Sequence, residues 1–108
     1  MKFTLIIPTK NRQKTAIKAV KSGVLSNYKN LEIIVSDVSD DDSLRYKVKE
    51  LSDSRIRYHY HSESLSMKNN WEFAVSQATG DYVTIIGDDD ALMPDGFSFA
   101  AIIIEKSS

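Results

Sequence analysis

The sequence predicts an α/β fold, a mostly parallel sheet with flanking helices. Two observations predict it. Short runs rich in β-branched residues, such as KFTLIIP and LEIIVSD, alternate with longer segments whose apolar residues recur at helical spacing. Polar loops rich in Asp, Asn and Ser follow the strand-like runs, where ligands gather in open sheets of this class, at the carboxyl ends of the strands. The order β-α-β-α-β-α-β-acid-α implies right-handed crossovers between parallel strands.

The elements follow in order. KFTLIIP is a buried strand through Ile7, with Pro8 expected to end it. TKNR is a loop. From Gln13 to about Ser26, the residues Ile17, Val20 and Val24 fall on one helical face. LEIIVSD is a second strand, stopped by the polar loop DVSDDDS, in which Asp42 or Ser43 caps a short helix through Leu51. RIRYHYH alternates and reads as a third strand. A third helix places Met67, Trp71, Ala74, Val75 and Ala78 on one face, with Gly80 as its C-terminal stop. DYVTII is a fourth strand. A last helix from about Asp95 to Lys106 carries Phe97, Ala100, Ala101 and Ile104 at helical spacing, with Ile102 and Ile103 off that face. Such a helix asks for more protein around it. It predicts self-association through an exposed apolar surface and a chain that is part of a longer one.

The chain has 108 residues, 42% hydrophobic and 27% charged, with a formal net charge of −1. These values fit one small domain, or part of a larger one, and argue against a dedicated nucleic-acid binder, though a local basic patch is compatible with them. There is no cysteine, so disulfides and thiolate metal sites are excluded. No run approaches the roughly 20 apolar residues of a membrane span. The cytoplasm is the default expectation, with membrane association of a longer chain left open.

The sharpest chemical signal is Asp88, Asp89 and Asp90, which directly follow the fourth strand and a glycine. Three adjacent carboxylates repel one another, and an all-oxygen donor set suits Mg²⁺ or Mn²⁺. The competing reading is a solvated loop that caps the next helix. In the first loop, Thr9 and Asn11 can hydrogen-bond a base or ribose and Arg12 can contact phosphate. Turn chemistry and surface charge are the plainer account. Asp37, at a strand end, can accept from a ribose hydroxyl or a base imino group. Asp40 to Asp42 read as helix capping and solvation. His59 and His61 lie two apart on a strand, hence on one face. They lack an evident third metal ligand and read as a half-exposed strand face. Trp71 reads as core. No GxGxxG and no GxxxxGK[ST] occurs, so dinucleotide and P-loop readings lack their usual support.

Four segments, IIPTKNR, EIIVSDVSDDDS, NNWEFAVSQATGDYV and IIGDDDALMP, stand in the order and spacing of the N-terminal, nucleotide-binding half of family 2 glycosyltransferases. The resemblance covers nearly the whole chain. It implies the Rossmann-like nucleotide-diphospho-sugar transferase (GT-A) fold, with residues 1–108 as the nucleotide-sugar-binding part and the acceptor-binding half beyond it. It also implies sugar transfer from a nucleotide-diphosphate sugar to a glycan, lipid or protein acceptor, usually inverting and dependent on Mg²⁺ or Mn²⁺. By resemblance Pro8, Thr9, Asn11 and Arg12 form the first nucleotide-contacting loop, with Lys10 where the family usually has an aromatic residue. Asp37 matches the first acidic position after the second strand, and Val38 stands where the family often has a second. Asn70 and Trp71 resemble a segment found in one branch of the family. Asp89 falls on the metal-binding carboxylate, with Asp90 beside it. Asp88 contacts ribose or metal, and Gly87 occupies an often acidic position. The family's catalytic base lies in the acceptor half, so the catalytic residue is unknown here. Two other readings of the same pattern are a nucleotidyltransferase-like nucleotide-sugar enzyme and a non-catalytic Mg²⁺-binding α/β signalling module.

Overall fold

The computed structural model describes residues 2–25, 30–63, 65–85 and 102–105. In chain order the elements are β1 (Phe3–Thr9), α1 (Gln13–Val24), β2 (Leu31–Asp37), α2 (Ser43–Glu50), β3 (Ile56–Tyr60), α3 (Met67–Gln77), β4 (Tyr82–Ile85) and β5 (Ile102–Glu105). They build a sheet of order β3-β2-β1-β4-β5. β1 pairs in parallel with β2, from Phe3 opposite Leu31 to Thr9 opposite Asp37, and with β4, from Phe3 opposite Tyr82 to Ile6 opposite Ile85. β3 is parallel to β2, and β5 is antiparallel to β4.

The path of the chain sorts the helices. From β1 through β3 it steps in one direction, then returns across the sheet to place β4 on the far side of β1. Right-handed crossovers running in opposite directions put their helices on opposite faces. Side chains alternate between faces along each strand, and the packing follows that alternation. Leu5, Ile7, Ile33 and Val35 join Ile17 and Val20 of α1 and Leu44 and Val48 of α2. Ile6, Ile34, Val83 and Ile85 join Ala74 of α3 and Ala78, which follows it. The central strand residues are fully buried, each contributing roughly 1.5–3 kcal/mol of apolar burial. The reversal of direction lies between β1 and β4, and such switch points are where open α/β sheets form their ligand crevice.

Three expectations need correction. Pro8 does not end β1, which runs on to Thr9. Phe3 N–H donates to Asn30 and the Thr9 carbonyl accepts from Val38, so the odd residues of β1 bond toward β2. Pro8 therefore turns its missing donor toward the β4 side, past the last described pair at Ile6 and Ile85, and the β2 ladder is intact. Gly80 is not the stop of α3. The helix ends at Gln77 and leaves through Ala78 in an extended conformation, and no described glycine has positive φ. What requires glycine at 80 is proximity: a Cβ there would lie 2.6 Å from Thr4 Oγ1 and 2.8 Å from Thr4 N. Finally, Ile102–Glu105 is a strand rather than the end of a helix. Three successive isoleucines suit a pleated strand, because branching at Cβ restricts χ1 in a helix. The rest of that predicted helix, including Phe97, lies outside the described residues.

At the edge opposite the strand-end loops, a buried carboxylate ties the elements together. Glu32 accepts from Thr4 Oγ1 at 2.8 Å, Arg57 Nη1 at 2.6 Å, Thr79 N at 2.9 Å and Thr79 Oγ1 at 3.1 Å. Burial alone would raise its pKa. The bonds from the Thr79 N–H, Arg57, Thr4 and the Thr79 hydroxyl outweigh burial and hold it down at about 2.

Candidate functional site

The carboxyl ends of β1, β2 and β3 meet in one bonded unit. Asn11 stands two residues past β1 with φ 55°, a left-handed conformation that Asn tolerates better than most residues. That bend lets its backbone N–H donate to Ser39 Oγ at 2.6 Å, while its side-chain Oδ1 accepts from Asp40 N at 2.9 Å. Val38 N donates to the Thr9 carbonyl at 3.0 Å. The two loops are thus joined by three bonds.

Asp37 lies beneath them, fully buried. Its Oδ1 accepts from Ser39 N at 2.9 Å, a local turn, and its Oδ2 accepts from the Tyr58 hydroxyl at 2.5 Å. Burial, and then the bond to Asp37, push the Tyr58 pKa up, so the phenol stays protonated as a donor. Tyr60 extends the arrangement: its hydroxyl donates to the Ser39 carbonyl at 3.0 Å, and His61 N donates to the Asp37 carbonyl at 2.8 Å.

A second unit lies on the α3 side. Ser36 Oγ donates to Asn70 Oδ1 at 2.5 Å, and Asn70 Nδ2 donates back to the Ser36 carbonyl at 3.3 Å. His61 Nε2 lies 3.1 Å from the same Ser36 oxygen. A hydroxyl has one proton, and here it goes to Asn70, so His61 Nε2 is the donor to Ser36. His59 and His61 share a face as expected and both set their rings edge-on to Phe73, at 5.3 and 4.4 Å between centroids. Burial, with the charges of Arg57 and His61, lowers the His59 pKa and keeps its ring neutral. Trp71 packs against the α3-side core.

Two hollows flank the joined loops. One, of about 590 Å³, opens between the start of α1 and α2 and is lined by Asn11, Arg12, Lys14, Asp41 and Lys47 among others. The other, of about 440 Å³, lies at the end of β3 and is lined by residues including Tyr60, His61, Asn69 and Phe73.

The structure therefore brings Pro8, Thr9, Asn11, Arg12 and Asp37 to one edge of the sheet. Thr9 is buried, Pro8 half-buried, and Asn11 and Arg12 exposed. Asp88, Asp89 and Asp90 lie outside the described residues. Among the described residues no group of three or more His, Asp or Glu could hold a metal ion. Asp42 stands at the N-cap position of α2 but its side chain caps no backbone N–H; its Oδ2 accepts from Arg45 Nε instead, and it is Asp41 Oδ1 that accepts from Ser43 N. Sequence reasoning missed Ser39, Tyr58 and Tyr60. The two tyrosines, alternating on the strand after the Asp37 loop, were the available signal.

The Glycosyl transferase family 2 model matches residues 4–99. A GalNAc(5)-diNAcBac-PP-undecaprenol beta-1,3-glucosyltransferase of Campylobacter jejuni is 39% identical over 103 residues, 90% of this chain and 32% of the relative. A putative colanic acid biosynthesis glycosyl transferase of Escherichia coli K12, WcaA, is 38% identical over 101 residues, 89% of this chain and 35% of the relative. The chain thus spans about a third of the length of these curated relatives. Among solved structures, Staphylococcus aureus TarS in complex with UDP superposes with a TM-score of 0.77 at 23% identity, over 88% of this chain and 29% of that one. The mannosyltransferase PcManGT of Pyrobaculum calidifontis, in complex with GDP-Man and Mn²⁺, gives 0.73 at 21% identity, over 83% and 28%. These structures establish the fold as GT-A. With the family model spanning nearly the whole chain and the strands, crossovers and switch point of that fold in place, the chain belongs to glycosyl transferase family 2.

Proposed function

We propose that residues 1–108 are the nucleotide-sugar-binding part of a metal-dependent, inverting glycosyltransferase of polysaccharide assembly. It moves a sugar from a nucleotide-diphosphate donor to a hydroxyl of a glycan, lipid or protein acceptor. The observation that carries this is the bonded junction of the β1 and β2 loops beside the switch point between β1 and β4. Pro8, Thr9, Asn11 and Arg12 border the nucleotide, with the exposed Arg12 able to meet phosphate. Asp37 is fully buried. Its first contribution is to hold the Ser39 turn, and each of its oxygens keeps a lone pair for a ribose or base once that turn gives way.

Two relatives give this reading its chemistry: TarS has been captured with UDP and UDP-GlcNAc, and PcManGT with GDP-Man and Mn²⁺. Asp88 stands three residues beyond Ile85 in sequence, with Asp89 and Asp90 next to it. Their oxygen-only donor set fits Mg²⁺ or Mn²⁺, with Asp89 as the main ligand and Asp88 toward the ribose. A divalent ion held there supplies the positive charge that offsets negative charge growing on the departing diphosphate. Family membership leaves the nucleotidyltransferase and signalling readings without support.

Calorimetry with UDP and GDP tests the proposal. Binding should require Mn²⁺ or Mg²⁺. Asp89→Asn, which keeps the side chain's size and removes its charge, should weaken metal-dependent binding at least tenfold while circular dichroism shows the fold retained, and Asp90→Asn should weaken it less. Equal wild-type binding in excess chelator, or an Asp89→Asn variant that binds like wild type with metal present, would overturn the metal role.

A further inference from the structure

The net charge of the chain conceals a strong local asymmetry. Residues 10–25 hold Lys10, Arg12, Lys14, Lys18 and Lys21, five of the chain's 14 cations, and none of its 15 acidic residues. α1 buries Ala16, Ile17, Ala19, Val20 and Gly23 against the sheet. At 3.6 residues per turn, Lys14, Lys18, Lys21 and Leu25 fall within an arc of roughly 60° on the opposite side, in a stripe about 16 Å long. All four are exposed, Leu25 to 66%. Among the described residues none of the three lysines has an ion-pair partner. Lys47 of α2 joins Arg12 and Lys14 around the hollow beside the stripe, opposed there by Asp41. On the same helical layer Tyr46 is 62% exposed.

We propose that this face of α1 docks the protein on an anionic phospholipid surface. Charge complementarity selects the occupant. Exposed lysines in a row attract a dense plane of phosphate headgroups. An exposed leucine at the end of the row can enter the headgroup boundary, as apolar residues of interfacial helices do. The core-facing side of α1 is already occupied, so the contact is peripheral and electrostatic rather than an insertion of the helix. α1 begins at the edge where the β1 and β2 loops meet. Docking through its outer face therefore lays that edge alongside the lipid surface, with Arg12 and Lys14 nearest to both.

Co-sedimentation of the chain with phosphatidylglycerol-containing vesicles, against pure phosphatidylcholine vesicles, tests the proposal. Binding is expected to the anionic vesicles alone at low salt, and its loss at about 0.5 M salt, where screening is nearly complete at headgroup distances. Lys18→Gln should lower the partition coefficient about fivefold, and the triple change of Lys14, Lys18 and Lys21 to Gln roughly a hundredfold. Lys68→Gln, on α3 across the sheet, should leave it unchanged. Circular dichroism checks that each variant is folded. Equal binding to neutral vesicles, a triple variant that binds like wild type, or release from vesicles by an equal charge concentration of duplex oligonucleotide would overturn the proposal. UDP calorimetry on the same variants reads the strand-end site separately, so failure there bears on the donor reading and not on lipid docking.

Discussion

Asn11 combines two demands in one side chain, a left-handed backbone and an acceptor for Asp40 N–H. Asn11→Gly keeps the first and loses the second, whereas Asn11→Ala loses both. Urea unfolding should place the glycine variant about 1 kcal/mol below wild type and the alanine variant about 2 kcal/mol below. Equal losses would mean that the backbone angle contributes nothing. Gly80 and Gly23 make a second contrast. A Cβ at 80 meets backbone atoms of Thr4 and Phe3 at 2.8 and 2.9 Å, whereas at 23 it meets the tips of Leu5 and Ile33 at 2.9 and 3.1 Å. Side-chain tips can move and backbone in a central strand cannot. Gly80→Ala should cost about 3 kcal/mol. Gly23→Ala should stay within about 1 kcal/mol of wild type, because the gain in helix propensity offsets the crowding. A Gly80→Ala midpoint indistinguishable from wild type would sink the close-approach account. At this scale Asp37 was legible as a strand-end acid, but its partners were not. Tyr58 and Tyr60 reach the Asp37 loop only through the β2–β3 register, which no local pattern displays. Gly80 looked like a helix stop because its spacing from α3 was right, and the Thr4 contact that requires it lies 76 residues away in the chain.

The strands and helices through Ile85 were legible because β1 and β2 are short β-branched apolar runs buried on both faces, whereas α1 and α3 carry their buried residues three or four apart. The errors arose where two signals competed. At Pro8 a strand-breaking residue met a position whose backbone N–H the β1–β2 ladder does not use. At Ile102–Ile104 helical spacing met β-branching, and pairing with β4 decided for the strand. The junction of α3 with the sheet was partly visible in Asn70 and invisible in Ser36. Asn70→Ala should leave the buried Ser36 hydroxyl without its acceptor and cost about 2 kcal/mol. Nitrogen-15 NMR of the imidazoles should show protonated Nε2 on His61 in wild type, and a changed tautomer balance in Asn70→Ala, where Ser36 is free to donate to His61 instead. A His61 ring with unprotonated Nε2 in the wild type would contradict the assigned direction of the Ser36 bond.

For the whole molecule, acid should weaken the fold in two stages. His59 is held neutral by its surroundings, with a pKa below the usual 6.5. The unfolded chain therefore binds its proton first, and stability begins to fall as pH drops below about 6.5. Glu32 follows. Its carboxyl is held at about 2 in the fold against an ordinary value of about 4.5, so its contribution is complete above about 4.5 and is lost as pH falls toward 2. Integrated over that interval the linkage is on the order of 3 kcal/mol, a large share of a small domain's stability. Glu32→Gln isolates it. Gln can still accept from Thr79 and Thr4, but it offers Arg57 no charge. At pH 7 the variant should unfold at distinctly lower urea than wild type, and the gap should shrink steadily between pH 4.5 and 2.5 as wild-type Glu32 loses its advantage. Other carboxylates, such as Asp53 beside Arg55, titrate in both proteins and cancel in the difference. A gap that stays constant from pH 7 to 2.5 would mean that hydrogen bonding alone, without the charge, makes Glu32 the tie between β1, β2, β3 and the end of α3.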